Sequence, residues 1–207
     1  VTTWACAQQG LSRGLPALTR TPNDSCIILS PVSVFGREFV LFISSATNLI
    51  PGVGGCPIIY AQDVQTGELF YIPFCVIDAE AVEKEDGQGI WVVASFYNVN
   101  TGDTNLARFD SSTGAWTYFD INLIRLNRQV YEITSRGDIF AVEQVNDTLR
   151  RIVRIDINGN KEVLHEYSDP PHSTRAVWLT ASEDGRIVAA HRITDQSMLT
   201  YLRVEYP

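Results

Sequence analysis

Along most of the chain, apolar positions recur with a period of two, and no segment sustains a 3.6-residue period. The clearest run is residues 90–97. Ile90, Val92, Ala94 and Phe96 fall on one alternating set, and Trp91, Val93 and Tyr97 on the other. Successive strand side chains point to opposite faces, so a strand apolar on both faces is covered on both, as in a sheet held between other sheets. Turn residues 98–103 separate it from a second run over 105–110, and Asp110-Ser-Ser-Thr-Gly114 separates that from a third over 115–121. Asp can hydrogen-bond the turn backbone, and Gly can take the left-handed conformation of a tight hairpin.

The unit recurs. Asp63-Val-Gln-Thr-Gly67 repeats Asp110-Ser-Ser-Thr-Gly114, and Asp156-Ile-Asn-Gly159 follows. Asp86-Gly87, Arg136-Gly137-Asp138 and Asp184-Gly185 form a second ladder, and Arg128-x-Val130-Tyr131 against Arg175-x-Val177-Trp178 a third. All three share a spacing of about 47 residues, the range of a four-stranded propeller blade. The pattern predicts strands at 26–30, 37–45, 56–63 and 68–74, then 79–85, 89–97, 104–110 and 115–121. It continues with 129–135, 138–145, 148–156 and 162–166, and ends with 175–182, 186–193 and 198–206. The fold class expected is therefore all-β: one domain over residues 1–207, a four-bladed β-propeller with about four antiparallel strands per blade. The blades span about 26–76, 77–122, 128–168 and 173–207. The last is one strand short, and a strand at 1–7 would close the ring and remove its open edge. The alternative is part of a larger propeller completed by a second chain. A β-sandwich does not explain the period.

The Asp-Gly pair before the second strand and the Asp-x-x-Thr-Gly before the fourth resemble the broad β-propeller repeat class. Gly-His and Trp-Asp pairs of the WD repeat are absent. Val76-Ile-Asp-Ala79 and Trp116-Thr-Tyr-Phe-Asp120 are faintly similar to blade openings and closings of hemopexin-like domains, but the Phe-Lys-Gly segment of that family is missing. Its cysteines staple first blade to last, whereas all four here lie in the first 75 residues of the chain. No functional residue is transferred from either family.

Composition adds a compartment. Cys6, Cys26, Cys56 and Cys75 are even in number and lack CxxC spacing, which argues for disulfides rather than zinc. Carrying the hairpin register outward from Asp63 and Glu68 sets Cys56 opposite Cys75, within disulfide reach, and leaves Cys6 for Cys26. The competing reading is four buried thiols. Disulfides imply an oxidising, secreted or extracellular location. The formal charge of −8 without a basic cluster argues against nucleic acid, and no apolar run reaches membrane-spanning length. Asn23-Asp-Ser25 and Asn146-Asp-Thr148 are glycosylation sequons.

Candidate chemistry is sparse. His165, His172 and His191 lack metal spacing. Asn98, Asn100, Asp103 and Asn105 offer mostly neutral amides to a cation, so a polar turn is expected. Glu83, Glu85 and Asp86 read as a solvated turn, and Trp4, Trp91, Trp116 and Trp178 as packing between blades. No nucleophile or phosphate-loop motif occurs, so no catalytic, metal or cofactor site is expected. The exceptional loop is 46–55, apolar at Leu49, Ile50, Pro51 and Val53, either folded under as a cluster or presented to a partner. The function expected is a secreted non-enzymatic module that binds a protein partner or self-assembles as a homo-oligomer. The alternatives are a lectin-like carbohydrate binder and a sugar-active hydrolase or lyase.

Overall fold

A computed structural model describes residues 26–34, 37–97, 104–123, 130–168, 177–182, 187–193 and 198–205. The expected strand at 1–7, with Cys6, Asn23 and Trp4, lies outside these residues. So do Asn98, Asn100, Asp103 and His172.

Four antiparallel sheets follow one another along the chain. The first holds β1 (Cys26–Val34), β2 (Arg37–Ser44), β3 (Ile58–Asp63) and β4 (Leu69–Cys75) in sequential order. The second holds β5 (Asp78–Glu83), β6 (Ile90–Tyr97), β7 (Thr104–Asp110) and β8 (Ala115–Phe119). The third holds β9 (Tyr131–Ile133), β10 (Ile139–Gln144), β11 (Leu149–Ile155) and β12 (Lys161–Ser168). The fourth is a sheet of β13 (Val177–Ala181), β14 (Ile187–Ile193) and β15 (Met198–Glu205). The first strands stand side by side, β1 against β5, β5 against β9 and β9 against β13. That is the radial stacking of blades about their innermost strands.

The second blade shows why both faces of residues 90–97 are apolar. Val92 and Ala94 pack with Leu41, Ile43 and Ile59 of the first blade, while Val93, Leu106 and Phe119 pack with Phe140, Ile152 and Ile155 of the third. The 3–4 hairpins repeat as the sequence predicts. Gly67, Gly114 and Gly159 have φ of 71°, 70° and 88°, and each donates its N–H to the carbonyl of the Asp that ends the third strand or follows it: Asp63, Asp110 or Asp156.

Two local predictions are corrected. β1 runs past Pro31, which reads in the sequence as a strand stop. As an innermost strand it pairs with β2 alone, so the missing N–H costs no ladder bond on its other edge. Cys75 faces Ile58, not Cys56, because Pro73 and Phe74 are extra residues between the pairs Ile59–Ile72 and Ile58–Cys75. The expected disulfide forms nonetheless, from Cys56 just before β3, with its Cα 5.7 Å from that of Cys75. Asp63 N–H donates to the Glu68 carbonyl as expected, so the turn was placed correctly and the bulge shifted what lies beyond it.

Candidate functional site

Antiparallel strands sort the turns into two rims. One carries the 1–2 and 3–4 hairpins of the blades, and the other the 2–3 hairpins and the crossings between blades.

The hairpin rim is polar and locked. Asp63 accepts the N–H groups of Gln65 and Thr66, both at 2.8 Å, and a bond from Arg37 Nε at 2.7 Å. The Thr66 N–H first, then those of Gln65 and Arg37, hold its carboxyl below the usual range against the opposing effect of burial. Asp156 accepts N–H groups from Asn158 and Asn160 and the Asn160 side-chain amide, and is lowered likewise, the Asn160 side chain being the largest cause. Asp110 is lowered by Lys84 and the Ser112 N–H, although burial works the other way. Arg108 of β7 points the same way and is 4% exposed. Its Nη1 donates to the carbonyls of Gly137 (2.7 Å) and Asp156 (3.1 Å), and its Nη2 to that of Ile157 (2.7 Å), all on the third blade. The guanidinium lies 5.3 Å from the Trp91 ring centre and 5.4 Å from that of Phe119, and Lys84 Nζ lies 4.1 Å from Trp91. Burial lowers the Arg108 pKa while Asp138, Asp156 and Asp110 oppose that.

Among the described residues the crossing rim carries exposed apolar side chains at the second blade, beside polar turns such as Asn146-Asp147-Thr148. Ile77 and Tyr97 are 52% exposed and Tyr118 58%. Beneath them Phe74 of the first blade meets Trp116 (4.5 Å between ring centres), Phe96 (5.3 Å) and Tyr118 (5.8 Å) of the second. The Cys56–Cys75 bond adjoins this group through Phe74. The 46–55 loop is on the same rim, and the structure divides its residues. Leu49 is 3% exposed and packs with Phe42, Ala46, Ile58 and Tyr60, so the expectation that it contacts a partner is corrected: it is part of the core. Ile50 and Val53 are half-buried against that cluster, and Pro51 is exposed.

Along the axis, sequence reasoning missed a pair of acids. Glu80 of β5 faces Val93 and Glu132 of β9 faces Phe140, equivalent positions of adjoining innermost strands. Ser30 and Thr180 hold the same register place in the first and fourth blades. Burial, then the charge of Glu132, raises the Glu80 carboxyl to about 9, and burial raises Glu132 too. Asp78 is raised by burial, and the buried Tyr131 hydroxyl lies 3.4 Å from Ser95 Oγ and within reach of Asp78. The missed signal was the repeat itself: aligning the blades puts an acid on the innermost strands of the second and third, between apolar neighbours, Ala79 and Ala81 or Tyr131 and Ile133.

Glu83, Glu85 and Asp86 are exposed, with Glu85 bonded to Arg136. His165 lies on the outer strand β12, stacked on Tyr167, and His191 on the middle strand β14. Asn146 is exposed at a hairpin tip, where its side-chain oxygen accepts N–H groups from Thr148 and Leu149. Asn105 is buried in β7. Cys26 opens β1. Among the described residues no group of three or more His, Cys, Asp or Glu is placed to hold a metal ion, and no helix is long and apolar enough to cross a membrane.

This geometry defines the class by fold. The chain is similar to the solved structure of the Dos1 propeller, at 14% identity over 87% of this chain and 47% of that one, with a TM-score of 0.50. It spans about half of that propeller's length, and the likeness shows a β-propeller fold alone. It is also similar to a streptogramin B lyase structure (18% identity, 90% of this chain and 58% of that one, TM-score 0.47). A third is Zg3597, a family 117 glycoside hydrolase produced by the marine bacterium Zobellia galactanivorans (14% identity, 88% and 60%, TM-score 0.42). No protein-family model and no curated protein matches the chain.

Proposed function

We propose that this β-propeller is a secreted, non-enzymatic interaction module that binds protein, a second copy of itself included, at its crossing rim. The observation that carries the reading is the contrast between rims. Among the described residues the turns of one are closed by Asp63, Asp110 and Asp156, with Ile157 its exposed apolar side chain, while Ile77, Tyr97 and Tyr118 stand more than half exposed on the other, with Pro51 on the neighbouring loop. Exposed apolar side chains gathered in one place mark contact surfaces, and aromatic rings are the side chains such surfaces favour. A disulfide-bonded pair is compatible with an extracellular location, where the exposed Asn146 sequon could carry a glycan.

The test is the double substitution Ile77→Ser and Tyr118→Ser, both at exposed positions. Sedimentation equilibrium of the wild-type chain is expected to show concentration-dependent association that the variant loses while keeping its unfolding midpoint within a few degrees. Association that is unchanged in the variant rejects the rim. A monomeric wild type whose binding to a glycan array depends on Tyr118 replaces the reading with the carbohydrate-binding one.

The proposal includes a ring of four blades closed by the N-terminal strand, which would cover the edge that a three-stranded fourth sheet leaves open. Hydrogen exchange reads this directly. Amides of residues 2–6 should be protected to the same order as those of β14, and exchange at the rate of free peptide rejects closure.

A further inference from the structure

The axial acids belong to neither rim. Glu80 and Glu132 come from adjoining blades at equivalent register positions of the neighbouring innermost strands β5 and β9, which places their side chains within interaction reach across the seam. Glu80 Oε2 is enclosed and has no hydrogen-bond donor among protein atoms. Two ionised carboxylates only accept, so in that state the oxygen is orphaned and the charges repel. One shared proton removes both penalties: Glu80 becomes a donor and Glu132 the acceptor.

The surrounding strands supply no cation in exchange. Within their spans β1, β6 and β13 carry no Lys, Arg or His. Cys26 and Tyr97 sit at the ends of β1 and β6. On β2, Arg37 is engaged by Asp63, with Glu38 beside it at the same end. On β10, Glu143 is paired with Lys161. On β5 and β9 themselves the ionisable neighbours are Asp78, Glu83 and Tyr131; Asp78 adds negative charge to Glu80, and Glu83 is exposed at the far end of its strand.

We propose that Glu80 and Glu132 form a proton-dependent clasp between the second and third blades, closed while they share one proton and opened by its loss. The sign follows from where the proton is held. The folded chain keeps it at a pH where the unfolded chain has released it, so the clasp's contribution is complete below the ordinary Glu range and is lost as pH rises toward about 9. This is an alkaline-side device, the reverse of acid denaturation.

The experiment is urea unfolding of the wild type, Glu80→Gln and Glu132→Gln across pH 5–9. One retained proton lets the wild-type folding constant fall by up to roughly tenfold per pH unit within the window. In either variant an amide donates where the shared proton stood, so that dependence should flatten, and the variants should exceed the wild type in folding constant by at least about tenfold at pH 9. Parallel pH profiles for wild type and variants overturn the clasp. A second readout needs only wild-type protein that folds. Infrared spectroscopy at pH 7 should show the C=O stretch of a neutral carboxylic acid, lost on raising the pH, and its absence at pH 7 overturns the proposal equally.

Discussion

The two seams of the second blade are built from one repeat and both bury apolar side chains, but only the seam with the third blade adds a set of buried polar contacts. Toward the first blade, Val92, Ala94, Phe96, Phe109, Trp116 and Tyr118 meet apolar partners, with Phe74 at the centre of the aromatic group. Toward the third, Val93, Leu106 and Phe119 also pack on Phe140, Ile152 and Ile155, but here Arg108 threads between Trp91 and Phe119 to three carbonyls, and the acids Glu80 and Glu132 lie on the innermost strands. Apolar packing is graded: a lost ring costs its buried area and the cavity left behind. A polar seam is closer to all-or-none, because each bond that breaks leaves a desolvated group on both sides. Apolar packing therefore gives both seams adhesion, while the polar contacts fix the rotation of the second blade against the third and make that fixing answer to pH.

Arg108→Met against Phe74→Ala measures this difference. Met keeps most of the side-chain volume between the rings but withdraws the donors to Gly137, Asp156 and Ile157. The cost expected is roughly 3–5 kcal/mol, that of breaking a buried charged hydrogen-bond set from one side. Phe74 is half-buried, so its replacement is expected to cost about 2 kcal/mol, below the range for a fully buried ring. Denaturant unfolding of both variants gives the two numbers. If Arg108→Met lies within about 0.5 kcal/mol of wild type, the guanidinium is packing material and the contrast between seams collapses.

The same contrast explains what could be read from the sequence. Apolar alternation and turn residues are local, and strands such as Thr104–Asp110 were legible from them to the residue. The third-strand Asp and the hairpin Gly were legible too, because a tight turn needs those two chemistries at fixed spacing. The polar seam was not. Arg108 alternates with apolar neighbours as a solvent-facing residue would, and nothing near it in sequence marks the carbonyls of Gly137 and Asp156 as its acceptors. Cys56 and Cys75 were paired correctly, but by a register that the Pro73–Phe74 bulge displaces. Leu49 was an even choice between loop surface and core, decided by Phe42 and Tyr60, whose stacked rings (5.3 Å) give it a floor.

The smallest effect expected separates the hairpin rim from the axial clasp by sign. Asp63, Asp110 and Asp156 are all held below their ordinary range, at Asp63 chiefly by the Thr66 N–H, at Asp110 by Lys84 against the effect of burial, and at Asp156 by the Asn160 side-chain amide. A lowered carboxyl contributes stability above its unfolded value of 3.8 and loses it as pH falls through the folded value. Asp156→Asn removes one such carboxylate while leaving an amide oxygen to accept the N–H groups of Asn158 and Asn160. Its unfolding midpoint should match the wild type's closely at pH 7 and converge further below pH 4, because the wild type gives up there what the variant never had. The alkaline limb should be untouched, since Asp156, held below its ordinary range, is already ionised across it. An Asp156→Asn chain whose stability changes between pH 5 and 9 differently from the wild type would mean that rim and axis are electrostatically one system, and that the two polar devices of this seam cannot be tuned apart.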